Sequence, residues 1–133
     1  MKKKTLVALA LVTLTASAIF FSVPAPVVRD SDGVRILQVA VIGADGQDEI
    51  VTDRIDGEQL TKLLGSASRS RLPHSFAPYQ RKTGDLEIIA ADRDRPLYIL
   101  LGGTNVAYRS ADRGGYTIRE AARLAEKIRQ LIS

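Results

Sequence analysis

The sequence predicts an α+β fold: an antiparallel sheet of about five strands in the order β-β-α-β-β-β-α, with two helices on one face, preceded by an N-terminal hydrophobic signal or anchor helix. Three observations predict it. Strand-like apolar runs bounded by turn residues recur at 34–42, 84–92 and 97–101, the first rich in β-branched residues. Two stretches, 56–65 and 117–132, show helical apolar spacing behind capping residues. The first 23 residues read as an address. The expected division is therefore a signal peptide or signal anchor at 1–23, a linker at 24–33, and an exported domain at 34–133.

The address begins with Lys2, Lys3 and Lys4 and then runs without a charge until Arg29. A basic start followed by an apolar stretch is a secretion signal. Ala16-Ser17-Ala18 has the small-x-small form that signal peptidase accepts, yet Ile19, Phe20, Phe21 and Val23 continue the apolar run past it. Counted from Thr5 to Val23 the run is 19 residues, close to the ~20 that cover a bilayer core. Cleavage and retention both stay open. Either way the lysines stay cytoplasmic and the remainder is extracytoplasmic: anchored N-in and C-out, or secreted. Pro24 and Pro26 stiffen the exit, and the polar run Arg29 to Gly33 completes the linker.

In the domain, Val34 to Ile42 forms the first strand, with Leu37, Val39 and Val41 on one face and Ile36, Gln38 and Ala40 on the other. Asp45-Gly46 suits a hairpin turn, and Glu49 to Thr52 returns antiparallel. Asp56 can N-cap a helix with Gln59 completing a capping box, Ile55 can staple onto Leu60, and Leu60, Leu63 and Leu64 form the buried stripe up to Gly65 at the C′ position. A long connection follows. Gly84 to Asp92 is the third strand, with Leu86, Ile88 and Ala90 on one side; "DRDR" (92–95) is a charged turn ending at Pro96. Leu97 to Leu101 is a central strand, and after Gly102-Gly103 the run Asn105 to Ser110 pairs back as its hairpin partner. Another turn leads to the last helix, where Thr117 and Glu120 form a second capping box and Ile118, Ala121, Ala125, Ile128 and Ile132 recur at helical spacing.

The tether, the hairpin running into Val51-Thr52-Asp53, and the late "ILLGGTNVAYRS" (99–110) and "GGYTI" (114–118) are together similar to small exported bacterial domains of unknown function. The resemblance implies an exported, non-enzymatic domain. It carries no functional residues that transfer to this chain.

Composition narrows the function classes. The formal charge is +4, but Lys2, Lys3 and Lys4 supply three of the nineteen basic residues, leaving sixteen against fifteen acids for the rest. So small a balance gives no field to steer a polyanion, so no nucleic-acid partner is expected. There is no cysteine for a disulfide, thiolate nucleophile, zinc ribbon or lipid attachment. Tryptophan is absent, which disfavours a sugar-lining site and with it carboxylate-pair glycosidase chemistry.

The candidate site is "RSRLPHSFAPYQRK" (69–82), which holds the single histidine and no acid. A Ser-His-Asp arrangement would have to use His74, and no carboxylate lies between Glu58 and Asp85 to orient it locally. No Gly-x-Ser-x-Gly elbow exists. The acidic clusters Asp30/Asp32, Asp45/Asp48/Glu49 and Asp92/Asp94 lack the layout of a calcium loop, so no metal site is assigned. "LLGGTN" places its glycines between strand-like runs and lacks a lysine, unlike a phosphate-binding loop. No catalytic residue and no cofactor are expected. Arg69, Arg71, His74, Phe76, Tyr79, Arg81 and Lys82 are the candidate binding residues: a cationic loop with two apolar footholds, suited to an anionic envelope surface or a protein partner. The plain alternative is that Leu72, Phe76 and Tyr79 pack the connection over the sheet while its charges stay wet. The expected function is a non-enzymatic, membrane-tethered interaction domain, with membrane contact through residues 5–23 if they are retained. The competing class is an exported hydrolase or peptidase inhibitor working through the His74 loop.

Overall fold

The computed structural model describes residues 2–28, 30–71, 79–109 and 115–132. In chain order its elements are α1 (Lys2–Ser22), β1 (Ala25–Pro26), β2 (Val34–Val41), β3 (Glu49–Ile50), α2 (Gly57–Ser66) and β4 (Ser68–Arg69). There follow β5 (Leu86–Asp92), β6 (Arg95–Leu101), β7 (Val106–Tyr108), β8 (Gly115–Thr117) and α3 (Ala121–Leu131). The α+β class and the antiparallel pairing hold. Six strands in the order β3-β2-β5-β6-β7-β8 form the main sheet, and β1 pairs with β4 in a separate ribbon.

The sixth strand is β8, where the sequence suggests the start of the last helix. Tyr116 and Thr117 instead pair with Ala107 and Val106 along the edge left open by the short β7. The expected Thr117/Glu120 capping box does not form. The Thr117 hydroxyl is buried without a hydrogen-bond partner, and α3 starts behind Glu120, which takes a left-handed backbone (φ 50) and accepts no capping hydrogen bond on its side chain. Two β-branched or aromatic residues facing a free strand edge outweigh a weak local helix signal. Beyond β8 the ladder continues: the Ser70 amide donates to the Thr117 carbonyl at 2.9 Å and the Arg119 amide to the Ser68 carbonyl at 2.9 Å. This ties β4, and through it β1, to the outer edge of the sheet. Residues 25–28, which the sequence places in a linker, are thus part of the packed fold, with Val27 and Val28 each 1% exposed.

A bulge corrects the faces of β2. The register with β5 shifts between Ile36 and Gln38, so Val34 and Ile36 face the helices together with Val39 and Val41. An extra residue reverses the alternation at that point. Leu37, expected on the same face as Val39 and Val41, is the extra residue and is 51% exposed.

Helix α2 starts as expected: the Asp56 carboxylate accepts from the amides of Glu58 and Gln59 at 2.9 and 3.3 Å. It ends differently. Gly65 lies inside the helix, and a Cβ there would meet Ser31 Cβ at 2.9 Å. Glycine here serves close approach, not a left-handed cap. Leu60 and Leu64 of α2 and Leu124, Ala125 and Ile128 of α3 pack on one sheet face against Ile88, Ala90, Leu97 and Ile99. Each fully buried aliphatic chain contributes on the order of 1.5–3 kcal/mol. The other face carries Leu100, Val106 and Tyr108, covered by Tyr79 and Tyr98.

Every described side chain of α1, from Lys3 to Ser17, is exposed. Among the described residues no helix is long and apolar enough to cross a membrane.

Candidate functional site

The structure divides the candidate loop. His74 and Phe76 lie outside the described residues. Lys82 is exposed and makes no ion pair among the described residues. Tyr79 and Arg81 turn back onto the sheet. The ring of Tyr79 stacks edge-on against Tyr108 with centroids 5.2 Å apart and tilts against Tyr98 at 5.6 Å. Its hydroxyl donates to Glu87, a carboxylate buried in mid-strand. Arg81 Nε donates to the same carboxylate at 2.8 Å, and its Nη2 donates to Asp48. The Tyr79 phenol is pushed well above its ordinary value, by burial first and then by the Glu87 hydrogen bond. Asp48 is held below its ordinary value by the Arg81 hydrogen bond. These two loop residues pair inward: Glu87 requires them, because a buried carboxylate without partners is costly.

Arg69 and Arg71 have a different fate. They line a cavity of about 600 Å³ with Ala25, Pro26, Arg93, Arg95, Arg109 and Tyr116, and with Asp92 and Asp94. Each side chain is placed by a separate piece of the fold. Arg69 sits on β4 with its guanidinium carbon 3.9 Å from the centroid of Tyr116, and it donates to the Ser70 carbonyl at 2.9 Å. Arg71 Nε donates to the Val23 carbonyl at 3.0 Å, where the chain leaves α1. Arg93 occupies the β5–β6 turn in a left-handed backbone (φ 59), and Arg95 opens β6. Arg109 follows β7; its Nη2 donates to Asp92 at 2.8 Å and to the Val27 carbonyl at 3.2 Å, while its buried Nη1 has no partner.

Five arginines against two aspartates leave this lining at a formal +3. Among the described residues the one ion pair in it joins Arg109 and Asp92; Arg69, Arg93 and Arg95 make none. Crowding is felt. Burial foremost, then the charges of Arg109 and Arg71, pull the Arg69 guanidinium below its usual value, against a raising effect from Tyr116. The arrangement offers forked donors and an aromatic floor. That chemistry suits phosphate or carboxylate oxygens.

Sequence reasoning found two of these arginines and missed three. "DRDR" reads as a solvated turn, yet Asp92 shares the inward face of Ala90 and Ile88, and an inward acid calls for a cation. That signal points toward an arginine such as Arg109. Nothing in the sequence brings position 69 beside position 116.

The other motifs resolve structurally. The "GGTN" turn closes on the chain's own carboxylate: Asp85 accepts from the Gly103 amide at 2.8 Å and the Thr104 hydroxyl at 3.0 Å. A Cβ on Gly102 (φ 134) would lie 2.8 Å from that carboxylate, so glycine is required there twice over. A smaller groove of about 240 Å³ between α2 and α3 is lined by Arg123 and Lys127 of α3 and by Arg119 and Glu120 just before it. No group of three or more His, Cys, Asp or Glu residues that could hold a metal occurs among the described residues. Compared with known protein families, characterised proteins and solved structures, the chain finds no match.

Proposed function

We propose that this chain is an exported, membrane-tethered, non-enzymatic domain that holds an anionic group in its arginine-lined cavity. The observation that carries the proposal is that five arginines, at positions 69, 71, 93, 95 and 109, line one cavity, and that Arg69, Arg93 and Arg95 make no ion pair among the described residues. Like charges gathered at the mutual expense of their solvation are stabilised by an anion between them.

The tether is supported by α1. Leu6, Val7, Leu9, Leu11, Val12 and Leu14 are each at least 60% exposed, so this part of the helix presents apolar side chains all round and, among the described residues, packs them against nothing. Thr13 and Thr15 donate their hydroxyls to the carbonyls of Leu9 and Leu11, both at 2.9 Å. That internal pairing is what a hydroxyl needs where no water is present. With Lys2 to Lys4 before it, the run Thr5 to Val23 serves as a signal or anchor that keeps the lysines cytoplasmic and the domain outside.

The test is thermal unfolding of the full chain in non-ionic detergent, with pyrophosphate added at matched ionic strength. At about 100 times its Kd a ligand adds roughly 2.7 kcal/mol to stability. The native chain is expected to gain in Tm. An Arg93→Ala/Arg95→Ala variant loses most of the gain, and an Arg119→Ala/Arg123→Ala variant at the start of α3 and just before it keeps it. Equal gains in all three, or a gain no larger than chloride gives, would refute the cavity as the anion site.

A further inference from the structure

We infer that the anion is the phosphate of an anionic phospholipid headgroup in the same membrane that α1 occupies; this rests on the tethered reading above. The link is the place where the cavity opens. Ser22 ends α1, Val23 gives its carbonyl to Arg71, and Ala25 and Pro26 are already part of the cavity lining. Three extended residues reach at most about 10 Å. The headgroup layer is itself only about 5–8 Å deep on each side of the hydrocarbon core. A helix leaving the bilayer at Ser22 therefore sets the cavity at headgroup level, with no linker long enough to lift it away. The contact between Arg71 and Val23 fixes this geometry, because it binds the cavity wall to the helix exit.

The lining selects among headgroups. Its formal +3 attracts the phosphodiester and repels the quaternary ammonium of a choline headgroup. Asp92 is engaged by Arg109, so it does not compensate such a cation. Asp94 lines the cavity without an ion pair among the described residues and can accept from a headgroup hydroxyl. A glycerol-type anionic headgroup meets all three conditions. Tyr116 beneath Arg69 and Pro26 at the rim add an amphipathic footing of the kind found at the interface.

The experiment places the full chain in nanodiscs of phosphatidylcholine alone, or of phosphatidylcholine and phosphatidylglycerol in equal parts, and follows hydrogen exchange at residues 91–96 and 68–71. Soluble glycerol phosphate is added to the phosphatidylcholine discs as a separate arm. Protection in the phosphatidylglycerol discs is expected, falling by roughly tenfold or more in apparent affinity for Arg93→Ala/Arg95→Ala, since each basic residue near an anionic surface is worth about fivefold. Protection by glycerol phosphate with none from phosphatidylglycerol overturns the lipid source and leaves the anion cavity standing. Protection by neither overturns both. Equal protection in native and variant chains also overturns the inference.

Discussion

Glu87 shows how one residue decides the role of others far from it. It faces away from the helices in the middle of β5, buried, and draws Tyr79 and Arg81 out of the basic loop. The second carboxylate on Arg81 is Asp48, 33 positions away, which no local reading of the loop reveals. A count of charges between residues 69 and 82 therefore overstates the free basic surface there. The pairing has a pH signature. The Tyr79 phenol is held above its ordinary 10.0, so its contribution to stability is fully present below that value and is lost as pH rises through the folded value. Tyr79→Phe is expected to lower stability near neutral pH by about 1.5–3 kcal/mol, the usual worth of a hydrogen bond to a charged group. The same variant should lose less stability than the native chain between pH 10 and the alkaline limit. Denaturant unfolding at a series of pH values checks both. Parallel losses in the two proteins above pH 10 would contradict the assignment.

Among the elements, the local signals that succeeded are those whose partners lie within a few residues. The Asp56 cap of α2 is such a case, with donors two and three positions ahead. Signals that failed were overruled by distant partners. Thr117 and Glu120 look like a capping box, but the open edge of β7 recruits Thr117 into β8. Gly65 looks like a helix terminator, but Ser31 lies against it. Leu37 alternates in phase with Val39 and Val41 until the bulge separates it from them. Gly65 supplies a sharp test. On helix propensity alone Gly65→Ala gains up to about 1 kcal/mol. The close approach to Ser31 Cβ predicts a loss of about 1–3 kcal/mol instead, as in other overpacked sites. Combining it with Ser31→Gly, which removes the opposing Cβ, should recover most of the loss. Chemical denaturation of the two single variants and the double variant reads this coupling, and a stabilising Gly65→Ala by itself would show that Ser31 gives way freely.

For the whole molecule, topology achieves what neither sequence nor any one element holds. The hydrophobic pattern made the α+β class legible, together with both packed helices and the strands of the central hairpin. Composition alone, three lysines and an uncharged run, carries the expectation of an N-terminal address. The cavity was not. It needs β4 to lie on the outer edge of β8, β1 to lie on β4, and the β5–β6 turn to meet the end of β7. Only then do arginines separated by up to forty positions, from 69 to 109, face one another. The same arrangement ties the exit of α1 to the cavity wall. The most direct measurement is a nuclear magnetic resonance titration of the ¹⁵N-labelled full chain in neutral detergent micelles, following the arginine Nε–Hε signals as pyrophosphate is added. Saturable shifts confined to Arg69, Arg71, Arg93, Arg95 and Arg109, with Arg81, Arg119, Arg123 and Arg129 unmoved, are the predicted result; uniform shifts across all arginines, or none in the cavity, would contradict it.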